Sequence, residues 1–364
     1  MNFSLKTSLQ RLLFLYLLFA GLYYAKPFLV PVVFAALLSM LMLPLARKLE
    51  QRMNKALSSF ICISLLLLLV AGMVTLLSWQ VADLAGNTSK MEQQVTSMIT
   101  QAKQQISTTL GIPPEKQQEM IKKQQQSGGG KISGMITTFL SSFAGILGSF
   151  VLVLVYIFLF IYYRSRLKSF LFAKTPDLHR DEVKDMVGKS QKVAGKYISG
   201  LALMIVCLWV LYGIGFSIVG VKHALFFAIL CGILEIVPFI GNLVGTALTA
   251  LMAMAQGGSP EMLIGVLVTY AVVQTFQSYV LEPLIVGSNV NINPLFTIMA
   301  IVLGEIVWGV AGMVLAIPLL AITKIVCDHM VPLHPYGYLF GEDKKTGSGN
   351  KWIEKLKSLV GKKE

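Results

Sequence analysis

The chain has 364 residues, of which 55% are hydrophobic and only 13% are charged. Soluble domains carry roughly a quarter charged residues, so a large soluble core is excluded. The composition predicts an all-α polytopic membrane protein with room for about eight transmembrane helices. The formal net charge of +13 lies mostly in short loops beside apolar stretches, where it orients the chain and meets anionic lipid. No nucleic acid partner is predicted.

Eight apolar stretches predict the transmembrane helices. In chain order they lie at about 9–25, 28–45, 57–79, 135–163, 198–219, 224–255, 262–286 and 295–327. Several of these stretches exceed the length that a span needs, which predicts tilted, kinked or broken helices in the C-terminal half. The predicted regions are three N-terminal helices (1–79), an extracytoplasmic helical arm (80–132), helix four (133–163), a cytoplasmic amphipathic linker helix (164–197), a C-terminal transmembrane core (198–327) and a basic tail (328–364).

The basic residues predict the orientation. Basic clusters follow the second, fourth and eighth stretches, and all of them face the cytoplasm when both termini are cytoplasmic. The loops near Lys26, Lys222 and 289–293 then face outward. The basic linker and tail are expected to contact anionic lipids. The Gln-rich arm at 80–132 is either an inert extracytoplasmic segment or a subunit contact or gate.

Three carboxylates lie within or beside apolar stretches, each next to a helix-breaking residue. Glu235 precedes Pro238 and Gly241, Glu282 precedes Pro283, and Glu305 follows a glycine. Ionisable groups at membrane depth are costly and usually mark a path for a solute or an ion. Helix breaks at that depth occur where protein or a water-filled cavity satisfies the freed backbone groups. The pattern therefore predicts a transport protein with a broken helix at 235–241.

Polar residues form one face on each of two predicted spans. The seventh span presents Tyr270, Gln274, Gln277, Ser278 and Glu282. The sixth presents Glu235, Asn242, Thr246 and Thr249. The two faces either line one hydrophilic path or only form hydrogen bonds that hold the bundle together. Carboxylates beside helix breaks favour the path.

A weak internal repeat relates the sixth and eighth spans. A shift of 70 residues places Leu225-Phe226 on Leu295-Phe296 and Glu235-Ile236-Val237 on Glu305-Ile306-Val307. The repeat predicts two similar spans that run in the same direction. Transporters are often built from such repeats, with the site at their interface.

No enzyme signature is present in the sequence. It contains no Walker loop, no G-x-S-x-G and no H-E-x-x-H. The four cysteines (Cys62, Cys207, Cys231 and Cys327) form no C-x-x-C pair and are expected to be buried hydrophobic residues. We therefore predict no catalytic residues, no metal site and no cofactor, and transport that is passive or driven by a gradient.

Successive motifs in the C-terminal half resemble a known family. They are Leu234–Gly241, Leu281–Gly287, Asn293–Leu295 and Trp308–Pro318. In this order they are similar to the autoinducer-2 exporter family, also called PerM-like permeases, over roughly residues 11–330. The resemblance implies an oligomeric helical permease of the bacterial inner membrane that exports the autoinducer-2 quorum signal. Some relatives are assigned sodium–proton antiport instead.

Three functions follow from these features. The first is export of a small polar solute, with autoinducer-2 the candidate that the resemblance implies. The second is exchange of a cation such as sodium for protons at the intramembrane carboxylates. The third is a scaffold without transport, which leaves the carboxylates unexplained.

Overall fold

The structure, a computed structural model, describes residues 5–86, 131–238, 241–286 and 292–342. Within these ranges the chain is almost entirely helical and contains no strand. The predicted all-α polytopic fold is confirmed. Residues 87–130 and 343–364, which hold most of the predicted arm and of the basic tail, lie outside the described residues.

Eleven α-helices follow one another along the described chain. They are α1 (Leu5–Tyr24), α2 (Lys26–Glu50), α3 (Lys55–Gly86), α4 (Lys131–Ala173), α5 (Arg180–Val219), α6 (Ala224–Leu234), α7 (Gly241–Ala255), α8 (Pro260–Phe276), α9 (Pro294–Trp308), α10 (Val310–His329) and α11 (His334–Phe340). A π-helix, Gln277–Val286, continues α8. Short 3₁₀ turns precede α5 and α11.

Six helical segments of the described chain are long and apolar enough to cross a membrane. They are 26–50, 55–80, 150–173, 177–219, 260–285 and 310–329. Four shorter apolar helices accompany them, at 9–24, 224–234, 241–255 and 294–308. The chain is therefore a multi-pass membrane protein in which the shorter apolar helices pack among the longer ones.

One end of the bundle, here called the basic end, joins α2 to α4 and α5 to α10. Arg164 of α4 donates to Glu50 at the end of α2, with Nη1 and Oε1 2.7 Å apart. His329 at the end of α10 contacts Asp185 near the start of α5, with Nε2 and Oδ2 3.1 Å apart. Arg47 lies here as well, close to Glu50 at the end of α2.

The opposite end, here called the far end, holds the turns at Lys26 and Lys222. Trp308 Nε1 at the end of α9 donates to the carbonyl of Leu22, 3.0 Å away, near the end of α1. Lys222 Nζ contacts the carbonyl of Gln256 at 3.4 Å. The starts and ends of the described helices alternate between these two ends except at one hairpin, α6–α7, in the C-terminal half.

The first hairpin corrects the predicted span at 224–255. A side chain at Gly245 of α7 would begin 3.4 Å from Cβ of Cys231 on α6, so the two helices lie back to back. The contact of Lys222 with Gln256 brings the start of α6 and the end of α7 to the same far end. This stretch therefore enters the bundle and returns. The expectation of a single crossing was wrong because an apolar stretch of this length suits one tilted helix as well as two short ones.

The second hairpin corrects the predicted span at 295–327. Helices α9 and α10 meet at Gly309, whose φ of 65° and ψ of −145° are accessible only to glycine. The backbones of Gly304 and Gly312 then lie in direct contact, since neither residue has a side chain to separate them. This stretch crosses the bundle twice, from the basic end to the far end and back.

The two hairpins also correct the predicted repeat and one predicted loop. Asn293 N donates to the carbonyl of Phe340 at 2.9 Å, and Ile292 pairs with Gly341, so α9 starts at the basic end. Ile292 and Asn293 therefore do not share a side with Lys26 and Lys222, while residues 287–291 lie outside the described residues. The matching residues of the repeat do open two similar hairpins, but α6 and α9 enter from opposite ends and run in opposite directions.

The predicted linker helix is the first half of α5. The α-helix begins at Arg180 after a 3₁₀ turn at Asp177–His179 and continues without interruption to Val219. Ala194 and Tyr197 of this helix are buried. Ala194 packs with Leu37 of α2 and Leu315 of α10, so this part of α5 ties the N-terminal helices to the second hairpin.

Candidate transport pathway

The reversal between α6 and α7 results from the sequence that follows Leu234. Helix α6 ends at Leu234, and residues 235–238 form turns in which Val237 N donates to the carbonyl of Leu234 at 2.9 Å. Pro238 has no backbone N–H to continue a helix. Gly241 then starts α7 directly against the backbone of Leu234, where a side chain would clash. The predicted break at 235–241 is confirmed, and it is a sharp reversal of the chain.

The tip of this first hairpin reaches the second hairpin inside the bundle. Val237 packs against Ile301 of α9 and against Met313 and Ala316 of α10. Glu235, two residues before Val237, is thereby held among helices away from the ends of the bundle. The hairpin tip thus brings a carboxylate to the place where the inverted hairpins meet.

The π-helix places two polar residues on one side of the chain. Its i→i+5 bonding pattern brings residues five apart close together, and such segments often occur at functional sites. Gln277 Nε2 and Glu282 Oε1 are 3.5 Å apart. Pro283, which was predicted to break this helix, lies within the π-helix and removes one backbone donor there. The wider turn therefore accommodates the proline that a regular helix would reject.

A first set of polar contacts joins α5, α7 and α8. The Tyr212 hydroxyl donates to Asn242 Oδ1 at 2.6 Å. The Asn242 amide in turn donates to Gln274 Oε1. Tyr212 is fully buried and Asn242 is 5% exposed, so these bonds satisfy polar groups that have little access to solvent.

A second set joins the hairpin tip to the π-helix. Gln277 Nε2 donates to Glu235 Oε1 at 2.6 Å and lies 3.5 Å from Glu282 Oε1. Because Gln274 and Gln277 are almost one turn apart on the same helix, the two sets form one polar column. The column runs from the buried Tyr212 to Glu282, whose side chain is exposed.

Three buried oxygen atoms beside this column have no hydrogen-bond partner within the described residues. They are Glu235 Oε2, Thr246 Oγ1 and Gln277 Oε1. Buried polar atoms are nearly always hydrogen-bonded, and exceptions often have a functional role. A carboxylate oxygen and an amide oxygen can accept hydrogen bonds from a hydroxyl group or bind a cation. These atoms are suited to contact a polar solute or an ion.

The remaining predicted residues lie around or outside the column. Thr249 is buried and donates to the carbonyl of Gly245 at 2.8 Å. Tyr270 is half-buried on α8, one turn before Gln274. Ser278 and Glu305 are exposed, and within the described residues no hydrogen bond joins either to the column. The structure thus groups Glu235, Asn242, Gln274, Gln277 and Glu282, and separates Ser278 and Glu305 from them.

Tyr212 was not singled out from the sequence. It lies in the apolar half of α5, where Leu208, Tyr212 and Phe216 are all buried at helical spacing. This pattern resembles an ordinary core stripe. The available signal was chemical: a buried tyrosine usually finds a hydrogen-bond partner for its hydroxyl, and polar residues occur on the neighbouring spans.

No group of three or more metal-ligating side chains occurs in the parts of the chain that the structure describes. Cys62, Cys231 and Cys327 are buried and Cys207 is half-buried, and all four are free thiols. Inverted hairpins around an interior column of amide and carboxyl side chains define a class, the helical membrane transport proteins.

Comparison with known proteins agrees with this class. The family model described as AI-2E family transporter matches residues 12–332, so the chain belongs to the AI-2E transporter family. The chain is similar to two Bacillus subtilis proteins, YueF and YrrI, both named Putative transport protein. The identity to YueF is 23% over 81% of this chain and 82% of YueF. The identity to YrrI is 29% over 38% of each chain. The Sodium-lithium/proton antiporter of Halobacillus andaensis is 27% identical over 51% of this chain and 52% of that protein.

Proposed function

We propose that this protein is a permease that exports a small polar solute through the column between Tyr212 and Glu282. The observation that carries the proposal is the set of unpartnered buried oxygens of Glu235, Thr246 and Gln277 beside that column. A hydroxyl-rich molecule can replace the missing hydrogen bonds. Autoinducer-2 is the candidate substrate that family membership suggests, and transport is passive or driven by a gradient.

Passage of a solute requires movement at the hairpin tip. Asn242 and Gln277 are almost fully buried, so the column is closed in this structure. The contacts that close it are the bonds from Tyr212 to Asn242, from Asn242 to Gln274 and from Gln277 to Glu235. We infer that a solute replaces these hydrogen bonds as the α6–α7 hairpin shifts against α8 and the π-helix.

A second candidate is exchange of sodium or another cation for protons. Glu235 Oε2 and Gln277 Oε1 are acceptors that belong to two hydrogen-bonded side chains, an arrangement that suits a monovalent cation. Glu282, the second carboxyl group of the column, can hold a proton or share the cation. The similarity to a protein named Sodium-lithium/proton antiporter supports this candidate.

One reconstitution experiment separates the two candidates. Purified protein in liposomes is assayed for uptake of labelled autoinducer-2 and for the response of a pH-sensitive dye to sodium. The double variant Glu235→Gln, Glu282→Gln keeps size and hydrogen bonding but removes both charges. We expect it to retain autoinducer-2 flux if the solute is neutral, and to lose sodium-dependent proton movement if the carboxyl groups exchange protons. Wild-type levels of both fluxes in this variant would rule out the carboxyl groups as functional.

The cellular setting is part of the proposal. We place the protein in the bacterial inner membrane with the basic end and both termini in the cytoplasm, because basic loops are retained on that side. We propose no catalytic residue and no cofactor for transport. Self-association is expected from the family resemblance and remains a prediction.

A further inference from the structure

A cavity of about 420 Å³ lies between α2 and the first half of α5 at the basic end. Its apolar wall comes from α2 and includes Met40, Leu41 and Pro44. On the α5 side, Gly188 and Gly195 lie two turns apart and leave the space open, and a side chain at Gly188 would meet nothing within 4 Å. The cavity therefore results from two missing side chains on a helix that otherwise packs closely.

The rim of this cavity is positively charged. Arg47 of α2 and Lys192 and Lys196 of α5 line it, and no acidic residue does. The nearby acids are engaged elsewhere, since Glu50 pairs with Arg164 and Asp185 with Lys189. Within the described residues Arg47 and Lys192 form no ion pair, so their charges are available to an anion.

The cavity adjoins a second space that is mainly apolar. A second cavity of about 290 Å³ shares Met40, Leu43 and Gln191 with it and extends between α4 and α5. Phe160, Ile161 and Leu167 of α4 line this extension, together with Arg164 and Lys168 toward the basic end. A molecule with an anionic group at one end and an apolar chain at the other suits both cavities.

We propose that this paired cavity binds one anionic phospholipid of the inner leaflet. Its phosphate contacts Arg47 and Lys192, and an acyl chain passes Gly188 and Gly195 toward Phe160 and Leu167. Basic pockets between transmembrane helices on the cytoplasmic side suit such headgroups. Since Ala194 of α5 packs against Leu315 of α10, a bound lipid stabilises the part of α5 that holds the second hairpin.

A lipid fits the site better than a soluble phosphate compound. A free anion uses only the rim, whereas most of the surface of the second cavity is apolar. The site also lies where α5 passes from its charged half into its apolar half, the level at which headgroups and acyl chains meet. Both parts of the proposed ligand thus match the part of the protein that they contact.

Native mass spectrometry of the full chain in detergent tests the proposal. Palmitoyl-oleoyl phosphatidylglycerol and the corresponding phosphatidylcholine are titrated onto the protein. We expect the first phosphatidylglycerol to bind at least about fivefold more tightly than phosphatidylcholine, and each of Arg47→Gln and Lys192→Gln to weaken its binding by about fivefold. Gly188→Leu fills the cavity without a change in charge and should reduce the occupancy of that first lipid to a similar extent.

The matched control is Lys184→Gln, which removes the same charge from the same half of α5 without lining either cavity. Its lipid binding should equal that of the wild type. If Lys184→Gln and Lys192→Gln weaken lipid binding equally, general surface charge explains the binding, and the proposed site is overturned. Undiminished binding in Gly188→Leu, or displacement of the lipid by millimolar glycerol phosphate, would also overturn it. The two charge variants decide the question even if Gly188→Leu fails to fold.

Discussion

At the scale of single residues, the side chains of the column alternate between groups that donate and groups that accept. The Tyr212 hydroxyl donates to Asn242, whose amide donates to Gln274, while Gln277 donates to Glu235. Every donor named here points toward an oxygen, which leaves acceptor oxygens in excess. The column is therefore better suited to ligands that donate hydrogen bonds or carry positive charge than to anions.

Tyr212→Phe removes one donor of the column without a change in shape. We expect a loss of about 1 kcal/mol in stability, because the Asn242 oxygen is left buried without its partner, together with reduced transport. Thermal unfolding in detergent and flux in liposomes measure the two effects. Tyr279→Phe is the control, since Tyr279 is 80% exposed. Equal behaviour of the two variants would mean that the bond from Tyr212 to Asn242 contributes to neither property.

At the scale of elements, the sequence predicts the helix breaks but not the direction of the chain after them. Pro238 and Gly241 indicate a break because one lacks a backbone donor and the other lacks a side chain. Whether the chain then continues or reverses depends on close packing between Gly245 and Cys231 and between Gly304 and Gly312. Glycines are frequent in transmembrane helices, so their spacing alone does not reveal which pairs touch.

The first hairpin can be tested with one introduced cysteine. Gly245→Cys should form a disulfide with native Cys231 on oxidation, since the Cβ atoms would lie 3.4 Å apart and disulfides need about 3.5–4.5 Å. In a single straight helix these positions would be about 21 Å apart. The other cysteines are replaced by alanine, and thiols are counted by maleimide mass shift after denaturation. The control carries Cys231→Ala as well. Two reactive thiols after oxidation would contradict the reversal.

The contact between α5 and α10 at the basic end has a defined pH dependence. Hydrogen bonds from Lys189 and then from His329 hold the pKa of the Asp185 carboxyl below its usual range. A lowered pKa in the folded state means that the contact contributes at neutral pH and is lost only as the pH falls through that lowered pKa. The contact should therefore persist at pH 5, where the carboxylate remains ionised.

Asp185→Asn should loosen the end of α10. We expect faster amide hydrogen exchange over Lys324–His329 at pH 7, by up to about fivefold, the range of an exposed ion pair. Asp181→Asn removes the same charge one turn earlier and should leave exchange in α10 unchanged. Identical exchange in the two variants would show that the contact of Asp185 with His329 does not hold the helices together.

At the scale of the whole molecule, the expected number of crossings is obtained from different segments than the sequence suggested. The chain passes between the two ends in α1 to α5, in α8 with its π-helix, and in α9 and α10, while α6 and α7 enter and return at the far end. Hydropathy locates the apolar stretches, and the basic clusters predict which end faces the cytoplasm. Neither property distinguishes a crossing from a hairpin, because both bury the same apolar residues.

Labelling from outside the cell tests this topology. Single cysteines at Lys222 and Glu261 lie at the far end, on either side of the first hairpin, and single cysteines at Asp181 and Glu342 lie at the basic end. In a background without native cysteines, an impermeant maleimide should label the first two positions and not the last two. Label at Lys222 without label at Glu261 would restore a single crossing at 224–255.

If the polar column is the transport path, flux should depend on the hydrogen bonds of Asn242, which Asn242→Leu removes. Leucine has the same number and branching of side-chain heavy atoms as asparagine, but it is bulkier and cannot form hydrogen bonds to Tyr212 or Gln274. In liposomes we expect at least about a tenfold loss of whichever flux, autoinducer-2 or sodium, the wild type supports, since buried polar partners are left unpaired. Ser278 belongs to the predicted polar face of the seventh span but is exposed, so Ser278→Leu should keep wild-type flux. Full flux in correctly inserted Asn242→Leu protein would contradict the account.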